Sequence, residues 1–94
     1  MAYILVHHKI EDYNKWKPVF DDNAGDRAKH GSTGGKAFRN ADEPNDIFVL
    51  LEIGNVEEGK KFAQSDSLKE AMQKAGVISM PEVHFLEEAA TTAK

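Results

Sequence analysis

The 94-residue chain is long enough for one domain and too short for two, and a domain of this size buries roughly 60 to 65% of the surface its unfolded chain exposes. A hydrophobic fraction of 40%, a net charge of −4 and the absence of cysteine exclude disulfides, thiolate nucleophiles and cysteine-ligated metal clusters, and leave no basic stripe for a nucleic-acid partner. No apolar run approaches a membrane span, and Met1 leads straight into an alternating segment without the basic start and apolar stretch of an export signal, so a cytoplasmic protein without a membrane partner is expected.

Residues Tyr3 to Lys9 alternate, with Tyr3, Leu5 and His7 on one face and Ile4, Val6 and His8 on the other, which predicts a first strand. Asp12 can open a helical segment that carries Tyr13, Trp16, Phe20 and Ala24 at spacings of three and four and stops near Gly31. Pro18 lacks an N–H and crowds the preceding turn, so an irregularity is expected at Trp16 to Pro18. Gly34 and Gly35 break the chain before a second strand at Lys36 to Asn40, and the turn formers of Ala41 to Asp46 predict a hairpin. The third strand, Ile47 to Ile53, is apolar on both faces apart from Glu52. Asn55 and Glu58 match a capping box, opening a helix with Val56, Phe62 and Ala63 inward, and a new start near Ser65 to Ser67 breaks it. Leu68, Met72 and Ala75 continue the apolar stripe until Gly76 ends it, and Pro81 precedes a last strand, Glu82 to Glu87. Residues 1–88 are expected to form the single domain, and the Ala/Thr-rich tail, 89–94, to fray.

Two strand-helix-strand units give the order βαββαβ, for which right-handed crossovers favour an α+β, ferredoxin-like fold: an antiparallel four-stranded sheet in the order 4-1-3-2 with helices on one face. Phe48 and Leu50 fall on the face without helices, and homodimerisation by sheet-to-sheet packing is the simplest cover for it.

The run Val6, His7, His8, Lys9 through Asp12, Tyr13, Trp16, Lys17, Pro18, Val19, Phe20, Asp21 resembles a branch of the antibiotic-biosynthesis-monooxygenase-like dimeric α/β-barrel proteins. Gly34 to Asn40, Asp42 to Asn45, and Phe62, Ala63, Ser65, Leu68, Ala71, Met72, Ala75 and Gly76 extend the likeness over nearly the whole chain. The resemblance implies two subunits whose sheets form a barrel, with a pocket between sheet and helices or inside the barrel. It leaves the reaction open, because the fold hosts cofactor-independent monooxygenases, polyketide cyclases and haem-degrading enzymes. The haem-degrading branch places a histidine on its second helix, and Asn55 to Gly76 contains none. The pocket set of the quinone-forming monooxygenases, built on tryptophan, tyrosine, asparagine and arginine, does not map onto a chain with one Trp and only Tyr3 and Tyr13.

Six residues stand out as pocket candidates: His7, His8, Trp16, Arg39, Glu52 and His84. His7 and His8 project to opposite faces of one strand, so at most one enters a given cavity. The inferred register brings His84 near one of them, and with Glu52 they would make a His/His/carboxylate set of the kind that binds a metal or shuttles a proton. Histidines satisfied by water or backbone are the simpler account, so no metal and no cofactor is expected. Glu52, on the face of Phe48 and Leu50, needs a partner, and Arg39 is the obvious one, either as a structural ion pair or as half of a pocket. Tyr13, Trp16 and Phe20 read first as core, with Trp16 keeping the better functional claim because of its irregular turn. The run Gly31 to Lys36 lacks phosphate-loop spacing, and no serine-nucleophile elbow or zinc-binding helix motif occurs. The expected function is small-molecule binding by a homodimeric barrel, extending to cofactor-independent oxidation or cyclase-like chemistry on an aromatic or carbonyl-bearing molecule. The alternative is a non-catalytic dimeric module.

Overall fold

The computed structural model describes residues 2–93. The first strand, β1 (Ala2–Lys9), buries Ala2, Ile4, Val6 and His8 on one face, as its alternation predicts. Helix α1 (Tyr13–Asp22) is capped by Asp12, whose side chain accepts from the Asn14 N–H at 3.0 Å. The expected irregularity at Trp16 to Pro18 does not occur, because Pro18 lies on the exposed side of α1. There the carbonyl that loses its helical partner can turn to solvent, and the helix continues. The break comes at Asn23 instead, whose N–H closes the last turn on Val19 O at 3.1 Å before α2 (Ala24–Lys29).

Strand β2 (Ser32–Arg39) starts four residues earlier than expected and includes both Gly34 and Gly35. Gly35 is there for close approach: a Cβ at this position would stand 2.7 Å from the carbonyl oxygen of Leu50. The hairpin leads into β3 (Asp46–Ile53), which buries Ile47, Val49, Leu51 and Ile53 against the helices. Helix α3 (Val56–Ala63) begins where Asn55 Oδ1 accepts from the Glu58 N–H at 2.8 Å. Helix α4 (Asp66–Ala75) begins where Ser65 Oγ accepts from the Leu68 N–H, and it ends at Gly76 with φ +78, a conformation glycine adopts without steric cost. Strand β4 (Glu82–Glu87) has the predicted bounds.

The sheet is antiparallel throughout and runs β2-β3-β1-β4, which is the expected order read from the other edge. The core lies between it and the helices, where Ile4, Ile10 and Ile47 are fully enclosed and Trp16 and Phe62 fill the layer. The opposite face carries Leu5 and Leu50, which pair across β1 and β3, and Phe38, which pairs with Phe48. Leu86 joins them from β4, and Phe38 and Leu86 are exposed. Among the described residues no helix is long and apolar enough to cross a membrane.

Candidate functional site

The alternation of β1 sends its two adjacent histidines into different chemistry. His8 faces the helices, is 5% exposed, and neither of its ring nitrogens has a hydrogen-bond partner. Its surroundings are apolar: Trp16 stands edge-on at 6.3 Å between ring centroids. Burial, aided by the neighbouring His7 and opposed by Asp46, pushes the His8 pKa down to about 4, so the imidazole is neutral at physiological pH. A neutral imidazole keeps one nitrogen free to accept a proton or a hydrogen bond.

His8 opens into a cavity of about 60 Å³ between β1, β3 and the helices, walled by Val6, Trp16, Phe20, Leu51 and Met72 among others. Trp16 and Phe20, four residues apart on α1, stack at 4.8 Å with an interplanar angle of 18°. The Arg27 guanidinium lies 4.1 Å from the Phe20 ring centroid and donates to Phe20 O at 2.8 Å. Asn23 and Arg27 complete the polar part of the lining. Arg27 and Phe20 also wall an adjoining groove of about 270 Å³ floored by Gly34 and Gly35, where the sheet offers no side chain to fill the space.

Of the six sequence candidates, only His8 and Trp16 meet in this pocket. His7 lies on the opposite face, stacked on Phe48 at 4.1 Å and held between Asp46 at Nε2 and Glu82 at Nδ1, the latter at 3.4 Å. Burial works against the His7 cation but is outweighed by those two carboxylates, and its pKa is raised. Asp46 is lowered in turn, because its hydrogen bonds from His7 and Asn40 outweigh burial. His84 shares this face, opposite Leu5 and 4.0 Å from Glu82, so it converges on His7 and not on His8.

The expected Arg39–Glu52 pair does not form. Arg39 is in register with Ile47 and Glu52 with Gly34, which puts the two side chains on opposite faces of the sheet. Arg39 donates to Pro44 O at 3.0 Å and lies over the Tyr13 ring at 4.3 Å. Glu52 also misses the histidines: it faces Tyr3, four residues along β3 from Phe48, or about 13 Å at strand rise. Among the described residues no group of three or more His, Asp or Glu side chains is arranged to hold a metal ion.

Asn23 and Arg27 are not among the six residues the sequence singles out. The signal was present, since 16, 20, 23 and 27 continue one helical stripe, and a cation at its end is out of place on an apolar face.

No family model matches the chain, and no curated protein does. Solved structures do. A candidate antibiotic biosynthesis monooxygenase from Bordetella bronchiseptica superposes with a TM-score of 0.81 at 13% identity, over 95% of this chain and 97% of its own. A second, from Caulobacter crescentus, gives 0.74 at 18% over 95% and 90%. SnoaB, a cofactor-independent oxygenase from Streptomyces nogalater, gives 0.76 at 12% over 99% and 96%. The chain has the antibiotic-biosynthesis-monooxygenase-like fold. At these identities the likeness carries architecture alone, and the chemistry of this chain follows from its own side chains.

Proposed function

We propose that the protein is a homodimeric small-molecule-binding barrel whose subunits each take an aromatic or carbonyl-bearing molecule into the pocket between sheet and helices, with His8 accepting the ligand's proton. The observation that carries this reading is a buried, neutral imidazole without a protein partner in an otherwise apolar cavity. Keeping such a group costs about 1–3 kcal/mol in unmade hydrogen bonds, which a ligand hydroxyl would recover. When that hydroxyl ionises, the resulting anion supplies the counter-charge His8 lacks and favours its imidazolium form. Proton removal leaves an electron-rich ring or enolate, the form that reacts with dioxygen or a carbonyl without a cofactor. SnoaB, with the same fold, is a cofactor-independent oxygenase, which adds to this reading.

The alternative, a non-catalytic dimeric module, draws on the modest cavity, since about 60 Å³ is less than a polycyclic ring system needs unless the helices part. Oxygen uptake and product formation with a panel of hydroxylated aromatics separate the two. Turnover that disappears in a folded His8→Leu variant supports the enzyme, and equal turnover in both proteins would remove His8 from the reaction.

A further inference from the structure

Arg27 occupies an unusual position for a cation. It is half-buried, it walls both the His8 cavity and the adjoining groove, and among the described residues its guanidinium makes one hydrogen bond, to a backbone carbonyl. Among the described residues no carboxylate lies within ion-pair distance of it, although the chain has 16 acidic residues against 12 basic ones. Asp21, the carboxylate whose charge reaches Arg27, holds Lys17 at 2.6 Å, and Asp26, its neighbour in sequence, accepts from Ser67 Oγ at 2.7 Å. A guanidinium has five donors in a planar fork matched to carboxylate geometry, so four of them remain for another acceptor.

His8, Asn23 and Arg27 are the polar groups of the pocket lining. Trp16 stands edge-on to His8 and stacks on Phe20, whose ring Arg27 overlies, so the lining that runs between His8 and Arg27 is aromatic and suits an apolar ligand body. We infer that the ligand is an aryl carboxylate, its ring against Trp16 and Phe20 and its carboxylate on Arg27, with any hydroxyl directed to His8. This rests on the pocket reading above and adds the charge of the ligand to it. The Gly34–Gly35 floor of the groove leaves room for the carboxylate-bearing arm beside Arg27.

The single tryptophan lies in the pocket wall, so its fluorescence reports occupancy directly. Titrating the full chain with 3-phenylpropanoate and with the uncharged isostere 3-phenylpropanamide isolates the carboxylate. Wild type is expected to bind the acid about tenfold more tightly, as a charge-assisted contact implies. That preference should vanish in Arg27→Met and survive in part in Arg27→Lys, with circular dichroism confirming that both variants are folded. Equal binding of acid and amide by wild type, or an undiminished preference in Arg27→Met, overturns the assignment while leaving the pocket intact. No saturable response to either compound overturns both the pocket reading and the carboxylate.

Discussion

His7 and His8 are consecutive, and their titrations pull stability in opposite directions. His8 has a folded pKa of about 4, below the 6.5 of an unfolded histidine, so its contribution is present above pH 6.5 and lost as the pH falls through 4. The full loss is about 3 kcal/mol. His7 is raised by its carboxylates, so its contribution is present below pH 6.5 and lost as the pH rises through its folded value. Denaturant titrations at several pH values should therefore show His8→Leu gaining on wild type by about 2 kcal/mol between pH 7 and pH 4.5. His7→Gln should flatten the decline on the alkaline side. His8→Leu should already be the more stable protein at pH 7, by about 1–3 kcal/mol, because it removes two unsatisfied buried nitrogens from an apolar site. A less stable His8→Leu would mean that the imidazole is structurally satisfied and has no need of a ligand.

At the scale of elements, strand pairing set the site. The pattern of Gly34 and Gly35 reads as a chain break, yet these residues are part of β2, where Gly35 lets the strand lie close to Leu50 and Leu51. Gly35→Ala is expected to cost about 1–3 kcal/mol by chemical denaturation, because a backbone carbonyl and a packed Leu51 methyl group both have to move. The variant should also narrow the groove beside Arg27 and weaken any ligand seated there. The helices were more legible. Asp12, Asn55, Ser65 and Gly76 each cap the helix end at which they were placed. Pro18 misled because its effect depends on which side of the helix faces solvent, a property decided by the sheet beneath.

For the whole molecule, the face opposite the helices governs assembly. Leu5, Phe38, Phe48, Leu50 and Leu86 share it, with the His7 carboxylate cluster at one end. An apolar sheet face calls for cover, and in the proposed homodimer a second copy would supply it with matching chemistry. Sedimentation equilibrium is expected to give a dimer for wild type and a monomer for Phe38→Glu, whose side chain is exposed in the single subunit and so can be changed without disturbing its core. A monomeric wild type would refute the barrel and leave the helix-side pocket standing, since that pocket lies on the face of the sheet opposite Phe38 and Phe48.

By itself the sequence determined the order of elements, the positions of most helix ends and the fold they imply. Caps, glycine stops and periodicity act over three or four residues, and they are readable wherever those residues stand together. Only the tertiary structure decided which histidine enters the pocket and that Arg39 meets Tyr13 instead of Glu52. It also decided that Arg27 ends the aromatic wall. Those outcomes depend on strand register and on the side of the sheet the helices cover, and a shift of one residue in pairing exchanges every side chain between the two faces.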